Sequence, residues 1–224
     1  MASTRLDIVY AVDEDLFVVG GADWATIVPR SNRMAAGVDG VFAANQPWVL
    51  SSASNNFASQ GVTAGMVVEL RGPETLFRTP QYLAVETVTT SSITLRRPGS
   101  PTGEGLGPGP AAGVTGVTFT IHTLKPQIEN AAFTLNERYA VDPRLAGRKP
   151  SDIYDQRIFR RLTALWVLYN QYANLNRAKT GDFADKVQWY REEYESELAS
   201  AALRWGPTGN DQPTTTRFGT RLSR

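Results

Sequence analysis

With 224 residues, 42% of them hydrophobic and 20% charged, the chain has the composition of a folded protein, not of a disordered polymer or a small disulfide-stapled scaffold. Its 23 Lys+Arg against 22 Asp+Glu leave a formal net charge of +1, so no overall field gathers nucleic acid or an anionic membrane. The absence of cysteine and the single histidine, His122, exclude disulfides, thiolate nucleophiles, thiolate metal sites and a two-histidine zinc site within one chain. Any Ser/His/Asp triad would have to pass through His122. The reading is therefore non-enzymatic, with no catalytic residue, cofactor or metal. No apolar run reaches the roughly 18 residues of a membrane helix, and Met1-Ala-Ser-Thr-Arg-Leu-Asp lacks the apolar core of a signal peptide. The expectation is a soluble, unexported chain without a membrane partner.

Residues 6–123 are rich in Val, Thr, Ser and Gly, with short runs punctuated by Gly and Pro, and read as β structure. Met66-Val-Val-Glu-Leu70 is a short apolar strand following a Gly-Val-Thr-Ala-Gly turn. Residues 82–88 alternate, with Tyr82, Ala84, Glu86 and Val88 on one side and Leu83, Val85 and Thr87 on the other. Ile93-Thr-Leu95 follows a polar turn at 89–92, which predicts a hairpin. In Val117-Thr-Phe-Thr-Ile-His-Thr123, Val117, Phe119 and Ile121 share one face, and Thr118, Thr120 and His122 the other. Four or five such strands predict a small barrel, because open edges would pair with other chains. Within this region residues 98–116 are dense in Gly and Pro, a composition that cannot fill a core and predicts a mobile hairpin tip or a loop that orders against a partner.

From residue 126 to 205 the turn residues thin out and the apolar spacing lengthens to three and four. Ile128, Ala131, Ala132, Leu135 and Tyr139 predict a first helix closed by Asp142-Pro143. After a basic connector at 144–150, Ser151 or Asp152 caps a second helix of about 28 residues bearing Ile158, Leu162, Leu165, Trp166, Tyr169, Tyr172 and Ala173. Gly181 ends it. Asp182 caps a third helix of about 22 residues with Phe183, Val187, Tyr190, Tyr194, Leu198 and Ala201, stopped by Gly206-Pro207. So short a connection predicts an antiparallel helix hairpin. Residues 206–224 carry Arg217, Arg221 and Arg224 against the single acid Asp211 and lack apolar periodicity, and are expected to be a disordered tail anchored by Phe218 and Leu222. The expected organisation is α+β: a β-rich barrel-like region at 1–124, a helical bundle at 125–205 and an extended basic tail at 206–224.

Charge is segregated along the hairpin. Positions 138–161 hold seven bases, Arg157, Arg160 and Arg161 among them, against three acids, whereas positions 182–197 hold six acids, including Glu192, Glu193, Glu195 and Glu197, against two bases. Both placements oppose the helix dipole and call for a compensating partner. The two patches either pair within the chain on a solvated face or make head-to-tail contacts between copies that close into a ring. Consecutive glutamates on an exposed helix diverge and lack a desolvating pocket, so they are not read as a catalytic pair. Trp189 lies off the apolar stripe and is a candidate interface residue. His122 reads as a surface or junction residue. Arg96-Arg97 and Arg160-Arg161 are too isolated for nucleic-acid readout.

The run Lys125-Pro-Gln-Ile-Glu-Asn-Ala-Ala-Phe-Thr-Leu-Asn-Glu-Arg-Tyr-Ala-Val-Asp142, then a basic connector and a hairpin ending Gly181-Asp-Phe-Ala-Asp-Lys-Val-Gln-Trp-Tyr-Arg-Glu-Glu-Tyr-Glu-Ser-Glu-Leu198, resembles the helical core of tailed-phage head-tail connector (adaptor, or head-completion) proteins. Ser54-Asn-Asn-Phe-Ala-Ser-Gln-Gly-Val-Thr-Ala-Gly-Met-Val-Val-Glu-Leu70 resembles a strand-turn signature of small barrels in phage structural proteins. The resemblance implies a virion protein of the neck, made in the host cytoplasm, that forms a homo-oligomeric ring, usually of twelve copies, beneath the portal protein ring. Its lower surface would hold tail or fibre components, and packaged DNA would pass through the channel without sequence-specific binding. It also implies a C-terminal tail docked on the portal, which assigns that role to Arg217, Phe218, Arg221, Leu222 and Arg224. Inter-subunit contacts then fall to Arg157, Arg160, Arg161, Trp189, Glu192, Glu193, Glu195 and Glu197. The long β region before the helices departs from the smaller adaptors. The competing expectation is a ligand- or glycan-binding β module with a helical dimerisation hairpin, in which Trp24, Trp48 and Tyr82 would line an exposed groove.

Overall fold

The computed structural model describes residues 10–100, 109–142, 149–153, 156–178, 183–201, 203–205 and 214–216. They divide into two compact units, one spanning Val12–Leu124 and the other comprising the residues from Lys125 onward together with Tyr10 and Ala11.

The first unit is a closed antiparallel barrel of six strands: β1 (Arg33–Phe42), β2 (Val49–Ser51), β3 (Val67–Leu70), β4 (Gln81–Val88), β5 (Ser92–Arg96) and β6 (Val114–His122). Their order around the barrel is β1-β2-β5-β4-β3-β6. Closure leaves no long edge to template aggregation. Inward residues from every strand form one core, with Phe42, Leu50, Leu70, Val85, Leu95, Val117 and Ile121 fully shielded. Val117, Phe119 and Ile121 face in and Thr118, Thr120 and His122 face out, as their alternation predicts. The expected β4–β5 hairpin is present, its turn tied by Thr89 N–H to the Ser92 carbonyl (2.8 Å) and by the Thr89 hydroxyl. One facing differs from expectation: a bulge between Val85 and Thr87 shifts the pleat, so Val88 packs against the core in place of Thr87.

The region is not wholly β. Helices α1 (Asp13–Gly20) and α2 (Trp24–Ile27) precede the barrel and lie against the outer face of β3 and β4. Phe17 packs on Trp24 (5.9 Å between ring centroids) and on Tyr82 (5.2 Å), and the outward-pointing Val67 and Ala84 are buried. Three acids in the first turn of α1 suit its dipole. Asp13 accepts the Leu124 N–H (2.6 Å) and the Thr123 hydroxyl (2.7 Å), fixing α1 to the chain leaving β6. Buried Glu14 accepts from the Arg96 guanidinium and from the Gly99 N–H (2.9 Å), tethering the base of the Gly/Pro-rich loop. Residues 101–108 of that loop lie outside the described residues.

The second unit holds α3 (Lys125–Tyr139), α4 (Arg157–Ala178) and α5 (Ala184–Ser200). All three are shorter than expected. The first ends at Tyr139, before Asp142, because Ala140 takes the left-handed conformation (φ 51°) and Val141 N–H returns to the Asn136 carbonyl (2.9 Å). The second starts at Arg157 because Asp152 instead closes a 3-10 turn, accepting the Lys149 N–H (3.0 Å). The third stops at Ser200, and Leu203–Trp205 forms a strand, β7, paired antiparallel with β8 (Thr214–Thr216). The stretch expected to lack structure from residue 206 thus contributes one strand. Residues 181–182, and with them the expected cap Asp182, lie outside the described residues. At 1.5 Å per residue α4 and α5 extend about 33 and 26 Å. No helix among the described residues is long and apolar enough to cross a membrane.

Candidate assembly surface

The antiparallel hairpin is zipped by aromatic rings. Near the open end Trp166 meets Tyr194 (5.1 Å), and toward the turn Tyr172 stacks on Tyr190 (5.2 Å, 12° between planes) and contacts Phe183 (5.8 Å). Helix α4 also packs against α3, through Phe159 on Tyr139 (5.2 Å), while Tyr10 covers Phe159 (4.6 Å) and donates its hydroxyl to Asn136 Oδ1 (2.5 Å). Being packed from two sides, α4 buries Thr163, Ala164, Val167 and Gln171 beyond its expected stripe, whereas α5 buries only Tyr190 and Tyr194.

Of the residues expected to join copies, the structure brings three together within one chain: Arg161 reaches Glu193 (3.5 Å) and Glu197 (3.2 Å) across the hairpin. This compensates the charges that oppose the two helix dipoles, although each exposed pair contributes only about 0–1 kcal/mol. Glu195 accepts from Arg191 (2.9 Å) and Glu192 from Gln188 (2.8 Å), both along α5. Trp189 stands 50% exposed, its ring edge-on to Tyr190 at 4.7 Å. Arg157 and Arg160 are exposed on the first turn of α4. The tail residues Arg217, Phe218, Arg221, Leu222 and Arg224 lie outside the described residues.

One feature escaped the sequence. Between α3 and α4 runs a groove of about 340 Å³ lined by Pro126, Gln127, Asn130, Trp166, Val167, Asn170, Gln171 and Asn174. Its signal was the recurrence of Asn170, Gln171 and Asn174 at helical spacing, but polar residues in a helix read as a solvated face.

In the barrel unit, Glu69 is buried and accepts from Arg71 Nε (2.7 Å) and the Tyr82 hydroxyl (3.2 Å). Burial and the Glu69 carboxylate push the Tyr82 phenol up to about 12. Burial, offset in part by Glu69, holds the imidazole of His122 below its ordinary range. Trp24 and Trp48 are 2% and 7% exposed and Tyr82 is partly buried, so they do not form the open aromatic groove a glycan module would need. Among the described residues no cluster of His, Asp and Glu is arranged to hold a metal ion.

No family model matches the chain, and neither a curated protein nor a solved structure matches it.

Proposed function

We propose that this chain is a structural virion protein, a head-tail connector that assembles as a ring under the portal and joins the DNA-filled head to the tail. The observation that carries the reading is the outer face of α5. A half-exposed tryptophan sits there with the exposed Asp185, Lys186 and Glu192 within one helical turn on either side, while the same chain presents Arg157 and Arg160 at the start of α4. An exposed indole rimmed by charge is the composition of an interface anchor, and opposite charges on two surfaces of one chain favour head-to-tail contacts, which close into rings. The helices, a bundle in this reading, make the ring wall. The near-neutral net charge suits a channel that lets DNA pass without retaining it. The basic tail docks on the portal, and the barrel holds tail or fibre components.

The test is electron microscopy of the protein mixed with the candidate portal, alongside antibody labelling of intact particles. A ring on one portal face and label at the head-tail junction are expected. Trp189→Ser or the pair Arg157→Glu, Arg160→Glu should lower ring occupancy at least about tenfold, as loss of an anchor worth about 2 kcal/mol or more does. Absence of a ring together with label elsewhere refutes the proposal.

A further inference from the structure

The groove between α3 and α4 has a chemistry unlike the rest of the helical surface. None of its eight lining side chains is charged, and five of them are carboxamides, Gln127, Asn130, Asn170, Gln171 and Asn174. A phosphate or carboxylate ligand would call for Arg or Lys. Each carboxamide offers both a donor and an acceptor. Gln171 is only 8% exposed and yet its side chain makes no hydrogen bond within the described protein. The side chains of Asn130 and Asn174 are likewise unpartnered there. Asn170 donates Nδ2 to the Trp166 carbonyl (2.8 Å), which leaves its Oδ1 to accept. Trp166, Val167 and Pro126 supply an apolar wall.

We propose that this groove binds the main chain of an extended, uncharged segment of another polypeptide. The spacing supports this occupant: Asn170 and Asn174 are separated by about 6 Å along the helix, and an extended chain offers N–H and C=O groups on one side every two residues, about 6.6–6.8 Å. A cavity of about 340 Å³ stands at the small end of the range for ligand sites. It admits a few residues of strand and excludes a helix of about 10–12 Å diameter. Recognition runs through backbone amides, with the partly exposed indole of Trp166 contacting a side chain of the segment. This site is independent of the α5 face and of the ring reading.

The test titrates the full chain, labelled with nitrogen-15, with the capped peptide acetyl-Ala-Thr-Ala-Thr-Ala-amide while the side-chain amide resonances of Asn130, Asn170, Gln171 and Asn174 are followed. Saturable shifts with a dissociation constant on the order of 1 mM or tighter are expected. The peptide N-methylated at alternate residues should bind at least about tenfold more weakly, because it lacks the donors. Gln171→Met should weaken binding by about tenfold or more, and Asn174→Ala, at an exposed position outside the core, by about threefold to tenfold. The proposal is overturned by an absence of saturable shifts, by an equal response to the N-methylated peptide, by unchanged binding in Asn174→Ala, or by shifts of the same resonances with maltotriose in place of the peptide, which would reassign the groove to a saccharide.

Discussion

Asp13 offers the sharpest test of how α1 is held. Its carboxyl is 3% exposed and accepts the Leu124 N–H and the Thr123 hydroxyl. Burial outweighs both bonds and raises its pKa from 3.8 to about 6. A folded pKa above the unfolded one means that the fold prefers the protonated group. The stability this contributes is fully present below about pH 4 and is lost as pH rises through about 6, with a span of about 3 kcal/mol at 1.36 kcal/mol per pKa unit. Asp13→Asn is neutral throughout. Its Oδ1 can keep the Leu124 bond, and its NH₂ can donate to the Thr123 hydroxyl, which rotates to accept. Urea unfolding of the parent and the Asn variant between about pH 4 and 7 should therefore diverge as pH rises, with the variant more stable at neutrality by roughly 1–3 kcal/mol. His122, whose lowered pKa makes stability fall as pH drops, and Asp39, whose carboxylate is lowered chiefly by the Ser54 N–H and loses its contribution only below 3.8, are common to both proteins and cancel in the difference. Parallel curves across the whole range would refute the burial argument for Asp13.

Two further substitutions probe backbone geometry. Ala140 occupies φ 51° at the C-terminal stop of α3, a conformation that costs a residue with a Cβ about 1–2 kcal/mol, so Ala140→Gly should raise stability by about 0.5–1 kcal/mol once the freer unfolded chain is counted. Thermal and urea unfolding that show a loss instead would discount the strain. At Gly40 an added Cβ would lie 2.8 Å from the Val117 carbonyl oxygen and 2.9 Å from Leu50 Cδ1. Gly40→Ala should therefore cost about 1–3 kcal/mol, the usual range for overpacking, and wild-type stability would show that β1 and β6 can separate freely.

Period-two alternation is legible where both faces of a strand differ, as in β6, and turn chemistry made the β4–β5 pairing readable. Strand β1 was hidden because it has Gly37 and Gly40 where bulky side chains would strike Phe119 and Val117, and because its register shifts at three places along β6, which breaks any simple pattern. Helix α1 was hidden by its brevity and its run of acids, since Asp13 and Glu14 are buried through partners more than 80 residues away. The helical hairpin was legible because its aromatic seam recurs at three and four. The end of α3 and the start of α4 were not, because Ala140 and Asp152 act through local backbone bonds that compete with the helix. The α3–α4 groove depends on which two helix faces meet, and amphipathic spacing alone does not say so.

The distribution of partners inside the hairpin changes what charge reversal can report. Arg161 already spans the hairpin to Glu193 and Glu197, so Arg161→Glu would place three acids together and act on the fold of a single copy. Glu192 and Glu195 are engaged along α5, at exposed positions where solvent screens such contacts, and little would be given up were a neighbour's cation to displace them. The face beside Trp189 is therefore the cheaper one to re-pair. α5 buries only two of its side chains and leaves a large aromatic in water, whereas α4, packed from both sides, exposes side chains chiefly at its two ends. The connector role proposed above would need such a division, since the chain would fold before it meets the portal. Neutralised pairs and stacked tyrosines hold the hairpin, while the indole of Trp189 stands exposed on the outer face, so loss of the proposed ring contact would leave the chain folded.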